Sequence, residues 1–197
     1  MNSVLTRSSV ILENERALLQ PLMAADYDLL LPFALNEPEI WKYSLVPASG
    51  AAALKSYIDS AIKDRECGTA YPFIVFDKAK NAWAGSTRFY DIQLPYKTLQ
   101  LGYTWYGKNF QGTGLNRNCK YLLLQYAFET LGLERVEFRA DFANKRSVAA
   151  MQAIGCQAEG VLRSHMPNGE GGRRDSIILS ILKQEWPGVK AALEAKG

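Results

Sequence analysis

The chain has 197 residues, 48% of them hydrophobic and 22% charged, enough for one compact domain over residues 1–197 with a substantial core. Its 23 Lys and Arg against 20 Asp and Glu give a net charge of +3. The basic residues are scattered, so no nucleic-acid surface is indicated and only a weak preference for anionic ligands follows. Cys67, Cys119 and Cys156 are odd in number and lack metal-ligand spacing, which predicts free thiols in a reducing cytoplasm and no metal. The N-terminus MNSVLTRSSVILENE has no basic start followed by a long apolar region, and the apolar runs are shorter than a membrane span. Neither export nor membrane insertion is expected.

Ser9 to Gln20 reads as a first strand and Met23 to Asn36 as a helix that Pro32 kinks or splits. Ala51 to Glu66 carries Leu54, Tyr57, Ile58, Ala61 and Ile62 at helical spacing, with Gly68 as a stop signal. Tyr71–Phe76, Ala82–Asp91 and Thr98–Tyr106 are β-rich and separated by the turn-like DKAKN and QLPYK, which predicts an antiparallel meander. A helix from Gly114 to Leu131 places Leu115, Cys119, Leu122, Leu123 and Tyr126 on one face, with Arg117 and Lys120 pointing elsewhere, and ends at Gly132. Strand Arg135–Asp141, helix Lys145–Ile154 capped by Gly155, and strands Gln157–Arg163 and Arg174–Leu182 follow. SHMPNGEGG, over His165 to Gly172, reads as a loop, and Pro187 opens a last short helix. The order β-α-α-β-β-β-α-β-α-β-β describes a mixed α/β (α+β) fold, a sheet with helices on its faces.

The stretch Leu99 to Glu129 runs from a short strand through a Gly-rich turn into an amphipathic helix, the layout of an anion site. A helix start leaves its first N–H groups unpaired and carries positive partial charge, and glycines there let the backbone close on phosphate oxygens. The dinucleotide fingerprint fails, because Gly112 and Gly114 are followed by Arg117 where a third Gly is needed. The P-loop spacing of Gly107 and Gly112 fails too, with Thr113 in place of the phosphate-reaching Lys.

Gln111-Gly112-Thr113-Gly114-Leu115-Asn116 resembles the pyrophosphate loop Gln/Arg-x-x-Gly-x-Gly/Ala of the GNAT superfamily of acetyl-CoA-dependent N-acetyltransferases. Asn116 departs from the last position, a form familiar in the branch that resembles the Rim-type (RimJ/RimL-like) protein N-terminal acetyltransferases. Further blocks follow in that branch's order: Gly85–Arg88, Arg135–Phe138, Asn144–Ser147, Glu159–Arg163, Arg174-Asp175 and Glu185–Pro187.

The resemblance implies a GNAT-like fold, a central mostly antiparallel twisted sheet flanked by helices. It implies transfer of acetyl from acetyl-CoA to a primary amine by direct attack in a ternary complex. The acceptor is expected to be a protein or peptide N-terminus of the ribosomal-protein type. A small amine such as an amino acid or antibiotic, or CoA binding without turnover, are the alternatives. A homodimer is a family-based expectation.

Site residues carry over by motif. Gln111 through Asn116 would anchor CoA by backbone N–H groups, with the Gln111 side chain as a further donor. Tyr103, Thr104 and Trp105 lie on a strand whose bulge frees backbone groups for pantetheine and the thioester oxygen; their side chains would pack in the sheet. Asn144 reads as a helix N-cap on its own and, by the motif, faces CoA together with Ser147, whose hydroxyl would serve the leaving thiolate. Glu159 is either the base or a strand-edge partner of Arg163 or Arg174. His165, the single His, reads as a surface or substrate-lip residue. Arg88 and Arg174-Asp175 either bridge strands or line the acceptor site, and Trp41 and Tyr43 are pocket walls or core.

Overall fold

An Asx turn splits the expected first strand in two. The Asn14 side-chain oxygen accepts from the N–H groups of Arg16 (2.9 Å) and Ala17 (2.8 Å), reversing the chain between β1 (Leu12–Glu13) and β2 (Ala17–Pro21). The computed structural model describes residues 9–168 and 171–195; the start of the N-terminal segment and the centre of the loop expected after His165 lie outside them.

Pro32 does not divide α1 (Tyr27–Asn36). The carbonyl it deprives of a partner belongs to Asp28, an exposed residue near the helix start, where such a loss costs little. Helix α2 (Ala51–Glu66) has the predicted bounds and buries Leu54, Tyr57, Ile58 and Ala61. The meander is β3 (Ala70–Asp77), β4 (Ala82–Gln93) and β5 (Thr98–Tyr106). Helix α3 (Leu115–Gln125) continues as a π-turn over Tyr126–Thr130 and stops at Gly132. Then come β6 (Arg135–Asp141), α4 (Lys145–Ala153), β7 (Gln157–Pro167), β8 (Arg173–Leu182) and α5 (Trp186–Glu194). β7 runs past the predicted Arg163, because Met166 and Pro167 still pair with Arg174 and Arg173. His165 therefore lies on a strand and not in a loop.

Among the described residues, eight strands form one sheet in the order β1-β2-β3-β4-β5-β6-β8-β7, antiparallel except for β5 against β6. Its two faces bury separate apolar layers. One joins Leu115, Cys119 and Leu123 of α3 and Trp186 of α5 to Val136, Phe138 and Ile181. The other joins Leu30 of α1, Trp41, and Tyr57 and Ile58 of α2 to Ile74 and Trp105. Trp41 is core, with its ring 4.7 Å from that of Trp105. Trp186 fixes α5 on α3 by donating to Glu129 at 2.8 Å, where Lys190 also pairs at 2.8 Å. Among the described residues no helix is long and apolar enough to cross a membrane.

The parallel pair is short. β5 meets β6 only through Thr98–Gln100 against Arg135–Glu137, and from Phe138 onward β6 pairs with β8 alone. The sheet opens into a wedge between the second half of β5 and the second half of β6.

Candidate active site

One wall of the wedge is distorted. Ser86 pairs with Trp105 and Arg88 with Gly102, so Thr87 faces two residues of β5, Tyr103 and Thr104. Tyr103 takes φ of +49°, a left-handed conformation unusual for a residue with a Cβ. Bulge and wedge together leave N–H and C=O groups of β5 without a strand partner on the β6 side, available to a ligand. The side chains pack as the sequence implies. Trp105 Nε1 donates to the Tyr57 hydroxyl at 3.4 Å, and the Tyr103 ring lies edge-on to Tyr90 at 5.0 Å.

At the open end of β5 the chain makes a turn over Lys108–Phe110 and enters α3 through Gly112 (φ +74°) and Gly114 (φ +85°). Thr113 Oγ1 donates to the Phe110 carbonyl at 2.8 Å and shapes the turn. The first intrahelical bond runs from the Asn118 N–H to the Gly114 carbonyl, 3.2 Å, so the N–H groups of Leu115 and Asn116 stand ahead of the helical ladder. Leu115 is buried and anchors this end, and the Asn116 Oδ1 is buried without a hydrogen-bond partner. A Cβ on Gly114 would lie 3.7 Å from Arg117 Nη2, which puts that guanidinium over the loop. The Gln111 side chain is a brace: Nε2 donates to the Tyr106 carbonyl and Oε1 accepts from Arg146 Nη1, each at 2.7 Å. Its amide donor is thereby committed to backbone, whereas the sequence assigns it to the ligand.

Arg146 belongs to the first turn of α4, so this brace ties the two loops across the mouth of the wedge. Asn144 caps α4, its Oδ1 accepting from the Ser147 N–H at 3.1 Å. Ser147 sits half-buried on that first turn.

On the closed side of the wedge, Glu159 pairs with Arg135 rather than with Arg163 or Arg174. Arg135 grips both its oxygens, Nη2 to Oε2 at 2.7 Å, and the Ser180 hydroxyl donates at 2.6 Å. Arg135 also reaches Glu137 at 2.9 Å, and Glu137 accepts from Arg139 at 2.6 Å. The Arg135 hydrogen bonds, then that from Ser180, bring the Glu159 carboxyl down to about 2. Folding therefore gains from this group at pH above about 4.3, and the gain disappears as pH falls toward about 2. The Glu159 side chain is 41% exposed, so solvent limits the gain to less than about 1 kcal/mol. Denaturant titrations of the wild type and Glu159→Gln should differ slightly at neutral pH and converge on acidification; a gap that widens in acid would contradict the pairing.

The remaining candidates divide. Arg174 donates to Ser176 on its own strand (3.1 Å) and to the Tyr43 carbonyl (3.4 Å), tying β8 to the segment after α1, whereas Asp175 accepts from the Ser164 N–H (2.7 Å) and braces the β7–β8 hairpin. Arg88, 3% exposed, makes no bidentate ion pair with another strand among the described residues. Its guanidinium lies between the rings of Tyr103 (4.1 Å) and Tyr57 (4.8 Å), 3.7 Å from Asp64 of α2, with Nε and Nη2 unpartnered. His165 is half-buried on β7, and its carbonyl accepts from Arg173 at 3.2 Å.

Lys120 is the residue that sequence reasoning misplaces. It is buried beneath the wedge, Nζ donating to Thr104 Oγ1 at 2.8 Å. The signal was there: Leu123, Leu124 and Ala127 follow it three, four and seven positions on, all buried, which sets Lys120 on the apolar stripe.

Residues 16–157 match the family described as Acetyltransferase (GNAT) domain. The Bacillus licheniformis protein p20, named an uncharacterized N-acetyltransferase, is 27% identical over 179 residues, 90% of this chain and 98% of p20. YdaF of Bacillus subtilis, named provisionally as a ribosomal N-acetyltransferase, is 33% identical over 106 residues, 54% of this chain and 57% of YdaF. The crystal structure of a GCN5-related N-acetyltransferase from Brucella melitensis superposes with a TM-score of 0.88 at 26% identity, covering 96% of this chain and 86% of that one.

Proposed function

The chain belongs to the GNAT family of acetyl-CoA-dependent acetyltransferases, and from that premise we propose that it acetylates the N-terminal amine of a protein or peptide, of the ribosomal-protein type, by direct attack in a ternary complex. The observation that carries this reading is the wedge between β5 and β6, bulged at Tyr103–Thr104 and leading straight into the Gly-turned start of α3. The Rim-type motif blocks and the printed name of YdaF support the choice of acceptor.

In this reading the pyrophosphate lies on the N–H groups of Gly112 through Asn116, with Arg117 and Arg146 as flanking cations. Gln111 holds the loop in place through Tyr106 and Arg146. Pantetheine lies along the unpaired edge of Tyr103, Thr104 and Trp105, whose backbone N–H groups polarise the thioester carbonyl. Asn144 orients the first turn of α4, and the Ser147 hydroxyl hydrogen-bonds the departing sulfur.

Glu159 keeps its charge throughout the neutral range, and a carboxylate held so low attracts a cation better than it retains a proton. Its role is to draw in and align the acceptor ammonium and pass the proton to water. Glu159→Gln should lower turnover about tenfold while acetyl-CoA affinity stays level, with partial recovery at higher pH as the amine deprotonates unaided. A fully active variant would move the role to another group.

The fold keeps Cys119 and Cys156 as buried thiols, which supports a reducing, cytoplasmic setting. Outer strand β7 exposes Val161 and Leu162, an edge that a second copy would cover in a homodimer. Sedimentation velocity reads that state directly.

Isothermal titration with acetyl-CoA, CoA and ATP tests the cofactor. The first two should bind and ATP should not; no CoA binding would overturn the reading. Acetylation of peptide N-termini ahead of amino acids and aminoglycosides would support the acceptor class, and the reverse order would assign a small amine instead.

A further inference from the structure

The Lys120 ammonium touches both walls of the wedge. Beyond Thr104 Oγ1 at 2.8 Å, it lies 3.5 Å from Thr87 Oγ1 and 5.9 Å from the ring centre of Phe138. Thr104 lies on β5 beyond the last residue paired with β6, and Phe138 is the first residue of β6 past that pairing. Lys120 is 5% exposed, and among the described residues no carboxylate pairs with it. The titratable groups facing it are thiols, Cys119 on its own helix and Cys156 just before β7; burial pushes both up to about 12, so they stay neutral. Among the described residues it is further met by the hydroxyls of Thr104 and Thr87 and the ring of Phe138. A buried cation without a counter-ion weakens a fold, and methionine would fill this place at less cost. An anion that forms in the wedge during turnover gives the charge a purpose.

On the acetyl-transfer reading, we propose that Lys120 is the charge and proton source for the sulfur that leaves the thioester. The thioester carbonyl held by the Tyr103–Thr104 backbone puts its sulfur one bond away from the carbonyl carbon, beside the threonine that fixes Nζ. As the acceptor nitrogen bonds to the carbonyl carbon, the carbon–sulfur bond breaks and sulfur keeps its electron pair. Nζ–H then gives sulfur a proton. The acceptor nitrogen sheds two protons to solvent, one before it attacks and one as the amide forms, and the neutral Lys120 amine takes one back from solvent, so one proton is released net. Burial brings Lys120 down to about 8, close to the ordinary range of a thiol, so transfer between the two is nearly balanced. Ser147 supplies a hydrogen bond to the same sulfur but no charge.

The test is a pH titration of the thiol of CoA bound to the purified protein, followed by the ultraviolet absorption of the thiolate. In the wild type the bound thiol should be about tenfold more acidic than free CoA, one pKa unit. Lys120→Met should abolish that gain with CoA affinity nearly unchanged, lower kcat about 100-fold, and remove the fall in kcat on the alkaline side of pH 8. Lys120→Arg should keep the acidic thiol, because it keeps the charge, yet turn over slowly, because it has no proton to give. Lys120→Met should melt no lower than the wild type; should it fail to fold, Lys120→Gln serves in the same titration. Equal thiol acidity in the wild type and the neutral variant would overturn the proposal while leaving the acetyl-transfer reading intact. Failure of the wild type to bind CoA would remove that reading, and this proposal with it.

Discussion

Gly114→Val should weaken acetyl-CoA binding by about ten- to a hundredfold, with the fold retained. Gly114 holds φ at +85° as the residue before α3, a left-handed conformation that costs a β-branched residue roughly 1–2 kcal/mol. Part of that strain is relieved by turning the loop, which re-aims the N–H groups of Leu115 and Asn116 away from the place where a pyrophosphate would lie. The added methyls also grow toward Arg117, whose Nη2 is 3.7 Å from the Cβ position. Gly114→Ala separates the two effects: it brings backbone strain of about 1 kcal/mol and little bulk, so its affinity should lie between wild type and Val. Calorimetric titration of the three proteins with acetyl-CoA decides the matter. Equal affinities would remove this loop as the pyrophosphate site.

What the sequence discloses and what it hides follow from the range of the forces involved. Helix α2 and strand β5 have their predicted ends because apolar spacing and stop signals act within a few residues. The broken first strand also depends on neighbours alone, but on the side chain of Asn14, which a periodicity argument passes over. Long-range partners are invisible to spacing. Arg135 lies 24 residues before Glu159, and only the interposed strand β8 brings them together. The wedge is equally silent. Its bulge is at Tyr103, where no glycine announces the positive φ, so only family resemblance leads one to expect it. Lys120 shows a conflict between two local rules: spacing puts it inside, charge puts it outside, and the hydroxyls of Thr104 and Thr87 give the charge just enough to stay.

Gly85→Ala should be the most damaging small substitution in the sheet, destabilising the protein by roughly 3 kcal/mol or more. Gly85 pairs with Tyr106 at the end of β4 and β5 nearest the Gly-rich loop. A Cβ there would sit 2.1 Å from the Trp105 carbonyl oxygen and 2.9 Å from the Tyr106 Cα, both backbone atoms that no rotamer change can clear. The strands would have to part, and the Tyr106 carbonyl that receives the Gln111 brace would move with them. Stability and cofactor affinity should therefore fall together, with the melting temperature down by roughly 6–12 °C. Gly112→Ala is the control. Its φ of +74° brings left-handed backbone strain, but a Cβ meets nothing within 4 Å, so its cost should stay near 1 kcal/mol. If the two variants melt alike, close packing at Gly85 is not what holds β4 to β5, and the loop takes its position from the Gln111–Arg146 contact alone.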